Sequence, residues 1–175
     1  MSDARIEGYA KALFEIARAE GSLDEVEDEL FRFARSYEGS DALRNALTDD
    51  MIPAEKRQGI VETLLGAKAT ATTTQLVSMV VGSGRGRDLP AIIDQLVQRA
   101  SSAKNLEVAE VRSAVALTDD QQTRLAAALA NATGKQVNVK VVVDPSVIGG
   151  LIATVGDTVI DGSVRTRLDQ LKTRL

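Results

Sequence analysis

The chain has 175 residues, of which 44% are hydrophobic, 26% are charged and only 3% are aromatic, and its formal net charge is −4. This length and hydrophobic content predict a folded, soluble protein of one ordinary domain or two small ones, whereas the acidic charge and the absence of Trp argue against a nucleic-acid partner. Cys and His are both absent, which excludes disulfides, thiolate nucleophiles, the usual zinc ligands and the commonest general base.

The first hundred residues place apolar side chains at the three-and-four spacing of amphipathic helices. Ser22 and Glu25 form a predicted capping box at the start of helix two, and Pro53 suits the first turn of helix four. Six helices are expected, over residues 5–19, 22–37, 40–47, 53–65, 70–81 and 88–100. Because the connections between them are short, they predict an antiparallel six-helix bundle.

From Leu106 onward the pattern changes to the alternation that is typical of strands. Thr118 and Gln121 form a second predicted capping box, which opens a helix that ends at Gly134. A further helix is expected over residues 163–175, because Val164, Leu168, Leu171 and Leu175 share one side. Strands are expected over residues 106–111, 137–143, 148–155 and 158–160.

A domain boundary is expected at Lys104 and Asn105, where the helical pattern ends. The sequence therefore predicts an α+β, mainly α protein, with a six-helix domain over residues 1–105 and a small mixed α/β domain over residues 106–175. No apolar run approaches the roughly 20 residues needed to cross a bilayer, and the N-terminus lacks a signal-peptide core. We therefore expect a cytoplasmic protein.

Few segments resemble a site for chemistry. Residues 82–87, GSGRGR, resemble a glycine-rich phosphate loop, but they follow a predicted helix and lack the Lys-Ser/Thr pair of a P-loop, so a helix-ending loop is favoured. The carboxylates that open helix two suit the positive start of a helix, with a metal or basic-partner patch as the alternative. The sequence predicts no catalytic residue, metal site or cofactor.

Four segments of the sequence are distinctive. They are YAKALFEIA at residues 9–17, VRSAVALT at 111–118, VDPSVIGG at 143–150 and VGDTVIDGSVRTRLDQL at 155–171. Together they resemble the delta-subunit family of bacterial F-type ATP synthases, which is homologous to the mitochondrial oligomycin sensitivity-conferring protein. The resemblance covers essentially the whole chain, and its C-terminal part is the most specific. The residues that carry this family motif are Asp144, Gly149, Gly150, Gly156, Asp157, Asp161, Gly162, Ser163 and Arg165.

The resemblance implies a six-helix domain followed by a smaller mixed domain, in agreement with the helix and strand patterns. It also implies a non-catalytic stator subunit, present in one copy, that holds the alpha/beta headpiece against the torque of the rotor. The N-terminal domain would bind an N-terminal helix of the alpha subunit, and the C-terminal domain would bind the b subunits of the peripheral stalk. Such a subunit is peripheral at the cytoplasmic face of the plasma membrane, without inserting into the membrane directly.

Helix one is apolar around a wider arc than a single contact stripe requires, and helix five shows similar breadth. A groove between these helices would receive the amphipathic alpha-subunit helix; complete burial inside the domain is the alternative. The predicted groove residues are Tyr9, Ala12, Leu13, Ile16, Leu76, Met79 and Val80.

The C-terminal motif has two interpretations. In the structural one, its glycines admit tight turns or close strand approach, Asp161 and Ser163 cap the last helix, and Arg165 pairs with Asp169. In the functional one, the same stretch is a stalk-binding surface. An unrelated helical adaptor or an enzyme that uses carboxylates and lysines are competing assignments for the whole chain, and concentration-dependent turnover would favour the enzyme.

Overall fold

A computed structural model describes residues 2–162, and within them the fold is α+β and mainly α-helical. The chain divides into two compact units, Met1–Ala100 and Ser101–Leu175. The described residues up to Ala103 form six α-helices and a short 3-10 turn, and the last helix ends three residues beyond the first unit. These elements are α1 (Ser2–Ala19), α2 (Leu23–Glu38), α3 (Asp41–Thr48), α4 (Ala54–Leu65), α5 (Ala71–Gly82), the 3-10 turn (Gly86–Asp88) and α6 (Leu89–Ala103).

The core of the first unit depends strongly on α6. Its apolar residues recur at intervals of three and one, which places them along one broad helical face. All of them are buried: Leu89, Ile92, Ile93, Leu96, Val97 and Ala100. The helices around this core pack as sequence neighbours, with α4 along α5 and α1 and α3 against α2, while α2 also contacts α5.

Two polar contacts fix α2 within this unit. The buried hydroxyl of Tyr37 donates a hydrogen bond to the carbonyl of Gly86 at 2.7 Å. Arg35 lies over the ring of Phe31, 4.6 Å from its centroid, and donates to Asp94 at 2.8 Å. The bonds to Gly86 and Asp94 hold α2 against the 3-10 turn and α6, because they join residues that are 49 and 59 positions apart in sequence.

The predicted capping box at Ser22 and Glu25 is wrong, although α2 begins where it was expected. The Ser22 amide donates to the Ala17 carbonyl and the Gly21 amide donates to Arg18, which is the pattern that closes the C-terminal end of a helix. Gly21 adopts a φ of 72° to allow it. Ser22 therefore has no extended N-cap backbone, and its hydroxyl makes no capping bond.

The second unit contains a four-stranded mixed sheet and one described helix beyond α6. Its elements are β1 (Glu107–Ser113), α7 (Asp119–Thr133), β2 (Val137–Val143), β3 (Leu151–Val155) and β4 (Thr158–Asp161). The strand order is β2-β1-β3-β4, with β1 parallel to β2, and with β3 antiparallel to both β1 and β4. The helix α7 supplies the crossover that parallel neighbours require.

One face of this sheet forms a core with α7. The buried side chains are Ala109, Val111, Leu129, Val137, Ala153 and Val155.

The predicted capping box at Thr118 and Gln121 is confirmed by reciprocal hydrogen bonds, and Gly134 ends α7 in the left-handed conformation. The predicted strand over residues 148–155 begins three residues too early, because two glycines form a turn before Leu151. The predicted helix over residues 163–175 lies outside the described residues.

Candidate partner-binding surfaces

An apolar stripe runs along the outer face of α1. Tyr9, Ala12 and Ile16 are spaced by three and four residues, so they lie on one side of the helix. Tyr9 is half-buried, whereas Ala12 and Ile16 are exposed. Leu13 lies on the neighbouring face and is buried in the core. The stripe is therefore available to a partner, and Leu13 supports it from beneath.

The corresponding face of α5 exposes one large apolar side chain, Met79, which is 41% accessible. Leu76 and Val80, the other residues predicted to line a groove on this helix, are buried. They are core residues rather than contact residues, because the inward side of α5 packs within the first unit. The predicted groove set therefore divides into three buried residues and four that reach the surface.

A hydrogen bond links the end of α1 to the first turn of α5. The Thr72 hydroxyl donates to the carboxylate of Glu20, which follows α1 directly. Glu20 lies one turn beyond Ile16, and Thr72 lies seven residues before Met79 on the same side of α5. The bond therefore joins the two helices on the sides that carry Ile16 and Met79.

A second apolar groove in the first unit was not predicted from the sequence. It lies among α2, α3 and α4, has a volume of about 310 Å³, and includes Leu64, which is 42% exposed. Its lining residues are Glu29, Arg32, Phe33, Ser36, Leu43, Leu64, Leu65, Lys68 and Ala69. The sequence contained a signal for this groove in the adjacent leucines Leu64 and Leu65. Two neighbouring positions of a helix point in different directions, so both leucines cannot face the same side of α4.

The first half of the C-terminal motif forms a hydrogen-bonded turn after β2. The Asp144 carboxylate accepts from the Ser146 hydroxyl at 2.6 Å and from the Ser146 amide at 2.9 Å. These bonds, aided by nearby Arg112, lower the pKa of Asp144 below its ordinary value, so the side chain is ionised at neutral pH. Gly149 and Gly150 follow with φ of 63° and 75°, which favour glycine.

The second half of the motif forms the β3–β4 hairpin. Gly156 has a φ of 55°, a left-handed conformation that favours glycine, and a Cβ there would lie 2.7 Å from the end of the flexible Glu107 side chain. Asp157 completes this turn and is exposed, and Asp161 ends β4. The Gly162 amide donates to the Leu151 carbonyl at 2.9 Å. Ser163 and Arg165, with their proposed cap and ion pair, lie outside the described residues.

Within residues 2–162, the side chains form no cluster of three or more carboxylates suited to a metal ion. The GSGRGR segment is a loop that ends α5 and enters the 3-10 turn, as predicted, and Arg85 lies 3.7 Å from Asp88. In the same part of the chain, no helix combines the length and apolar character of a membrane span.

A protein-family model described as "ATP synthase delta (OSCP) subunit" matches residues 6–175. The chain is 45% identical to the ATP synthase subunit delta of Streptomyces avermitilis over 159 residues, which are 91% of this chain and 58% of that protein. It is 42% identical to the ATP synthase subunit delta of Kineococcus radiotolerans over 175 residues, which are 100% of this chain and 63% of that protein. The chain thus spans about three fifths of the length of these curated relatives.

The fold is also similar to a chain in the cryo-EM structure of the Toxoplasma gondii mitochondrial ATP synthase hexamer. The TM-score is 0.56 at 24% sequence identity, and the match covers 97% of this chain and 96% of that chain. At this identity the similarity concerns the fold alone.

Proposed function

The chain belongs to the ATP synthase delta (OSCP) subunit family, and we propose that it is a non-catalytic stator subunit of an F-type proton-translocating ATP synthase. In this function it links the alpha/beta headpiece to the b subunits of the peripheral stalk. One copy would serve each complex, at the cytoplasmic face of the bacterial plasma membrane and held there by its partners. It would act without a cofactor.

The mechanical task explains why such a subunit needs no reacting groups. Proton flow turns the rotor, and the headpiece would turn with it unless it were held from outside. A stator therefore couples proton flow to ATP synthesis by binding two partners at once and by staying folded under load. The division of this chain into two compact units supports the proposal, because each unit offers a separate surface.

The first unit is proposed to bind the headpiece, as the main part of a six-helix bundle over residues 1–105. The observation that carries this assignment is the exposed stripe of α1 together with the exposed Met79 of α5, on two helices that are linked by the bond between Glu20 and Thr72. An amphipathic helix of the alpha subunit laid between them would cover Ile16 and Met79. Ile16 and Met79 are 38% and 41% exposed, so covering each would contribute about that fraction of the roughly 1.5–3 kcal/mol that full burial of such a side chain contributes.

The direct contacts in this proposal are Tyr9, Ala12, Ile16 and Met79. Leu13, Leu76 and Val80 act through packing, because they support the two helices from the core. The second unit, as a domain over residues 106–175, is proposed to bind the b subunits. Its contribution is the turn that the first half of the C-terminal motif builds after β2.

Calorimetric titration of the full chain with a peptide from the alpha-subunit N-terminus tests the headpiece assignment. Ala12→Asp is expected to weaken binding roughly tenfold or more, because a carboxylate on the stripe would have to be desolvated. The control is Leu64→Asp, which places the same carboxylate on an exposed apolar residue outside the α1 stripe, in the α2–α3–α4 groove. Loss of binding in the control alone would move the headpiece contact to that groove.

Both variants are expected to keep the helical content and melting temperature of the wild type. Loss of folding in Ala12→Asp would contradict the proposed exposure of this residue and identify it as a core position.

A further inference from the structure

Three strongly exposed aliphatic side chains lie at one end of the sheet in the second unit. They are Val115, Val143 and Ile148, each more than half accessible to solvent. Val115 follows the end of β1, Val143 ends β2, and Ile148 precedes β3. Because β1 and β2 are parallel and β3 is antiparallel to β1, the topology brings all three to the same end. We call these three residues the aliphatic patch.

Hydrogen bonds hold the patch in place. The Ser113 carbonyl accepts from the Asp144 amide at 2.8 Å, and the Ser113 hydroxyl accepts from the Val115 amide at 3.4 Å. The loops after β1 and β2 are therefore attached to the same residue at the end of β1.

Ile148 is held outward by its neighbours. Val147 is buried, and its amide donates to the Asp144 carbonyl at 3.1 Å. The Gly149 amide donates back to the Val147 carbonyl at 3.1 Å, and the two glycines with positive φ complete the turn. The family motif thus builds a turn that buries one aliphatic residue and exposes the next one.

Carboxylates outnumber basic side chains around the aliphatic patch, among the described residues at this end of the unit. Asp119 and Asp120 open α7, which begins at the same end as β1 finishes, and Asp144 and Asp161 lie beside the strand ends. The basic groups are Arg112, which lies 3.8 Å from Asp144, and Arg124, which pairs with Asp120 at 3.0 Å.

We propose that the aliphatic patch is the stalk-binding site of the second unit, and that its occupant is an amphipathic helix whose aliphatic stripe is bordered by Lys or Arg. This inference rests on the proposed stator function and adds the surface and the chemistry of the partner. Burial of the patch supplies the affinity, while the surrounding carboxylates attract and orient the basic borders of the helix. An acidic or uncharged helix would gain only the apolar contact.

The test measures binding of the full chain to the purified water-soluble part of the b subunits. Ile148→Asp is expected to weaken this binding roughly tenfold or more, because the new carboxylate would be buried against an apolar stripe. Val159→Asp is the matched control, because Val159 is 63% exposed and Ile148 is 61% exposed. Val159 lies outside the patch, within β4 and on the sheet face that points away from α7. The control should bind within about twofold of the wild type.

Val115→Asp provides a second probe of the patch in a different loop, should Ile148→Asp fail to fold. Binding of the wild type should also weaken as the salt concentration rises, because opposite charges attract across the interface. Wild-type affinity in both patch variants would overturn the assignment of the patch and leave the stator function intact. Binding that is unchanged or strengthened by salt would overturn the basic character of the occupant.

Other occupants give different results. If Ile148→Asp abolishes self-association of the chain rather than stalk binding, the occupant is a second copy and the proposal is wrong. If Ile148→Asp destabilises the isolated chain as a core substitution would, the chain itself covers the patch and the proposal is again wrong. If the wild type binds the alpha-subunit peptide but not the b subunits, the stalk-binding part of the proposed function fails, and the assignment of the patch fails with it.

Discussion

The two units expose their apolar side chains in different ways. In the first unit, Ile16 and Met79 lie on helices whose opposite sides are buried, so a surface stripe is one part of a continuous helical pattern. In the second unit, Val115 and Ile148 lie in loops, and the sheet topology brings them together. A helix surface can therefore be inferred from local spacing, whereas a surface at the end of a sheet requires the strand order.

The cores differ in the same sense. The first unit is built around α6, which buries six apolar residues, whereas the second has a thin layer between α7 and one sheet face, where Leu129 is the buried residue of the helix. Ile92→Ala is expected to lower the free energy of unfolding of its unit by about 3–4 kcal/mol, and Leu129→Ala by about 2–3 kcal/mol, because the thinner layer can relax around the lost volume. Urea unfolding followed by NMR signals from each unit would measure both.

An equal or larger loss for Leu129→Ala would contradict this contrast. It would indicate that the second unit is packed as rigidly around α7 as the first unit is around α6.

The two predicted capping boxes provide a sharper and smaller test. Thr118→Ala should destabilise the second unit by about 1 kcal/mol, because the Thr118 hydroxyl accepts from the Gln121 amide. Ser22→Ala should cost less than about 0.5 kcal/mol, since the Ser22 hydroxyl makes no capping bond and is buried without a hydrogen-bond partner. Thermal unfolding of the two variants would measure the difference, and equal losses would be inconsistent with the two N-cap geometries.

The smallest expected effect on stability comes from a contact between α2 and α5. Glu29 on α2 accepts from the hydroxyl and the amide of Thr70, the N-cap of α5, at 2.8 and 3.0 Å. Burial acts to raise the pKa of Glu29, but hydrogen bonds from Thr73 and Thr70 and the charge of Arg32 outweigh it, so the pKa is lowered from 4.5. The resulting stabilisation is complete above that value and is lost as the pH falls through the lower folded pKa.

Wild-type stability should therefore fall slightly more than that of Glu29→Gln between about pH 5 and about pH 3. The melting temperatures of both proteins would be measured across this pH range. If the two profiles run parallel, the ionised Glu29 contributes nothing to the junction of α2 and α5, and the prediction is wrong.

The sequence predicted the local elements well, because spacing and caps are local properties. Thr118 with Gln121 was predicted correctly, because β1 ends at Ser113 and no helix end competes for the Thr118 backbone. Ser22 was predicted incorrectly because the end of α1 uses the same residue, and a four-residue pattern does not include that bond. Ile148 was assigned to a strand because its apolar character matches the residues of β3, whereas the positive φ of Gly149 and Gly150 separates it from them.

The candidate surfaces were predicted less completely, for the same physical reason. Ala12 and Ile16 follow from helical spacing, but the burial of Leu13, Leu76 and Val80 depends on the packing of other helices. The aliphatic patch depends on the pairing of β1 with both β2 and β3, which no local pattern specifies.

The most direct test of the stator proposal is whether the chain joins headpiece and stalk through its two units at the same time. Size-exclusion chromatography of the full chain with the alpha/beta headpiece and the water-soluble part of the b subunits would measure this. The proposal predicts one ternary complex, with Ala12→Asp losing only the headpiece and Ile148→Asp losing only the stalk. Mutual displacement of the two partners, or loss of both in either folded variant, would contradict it.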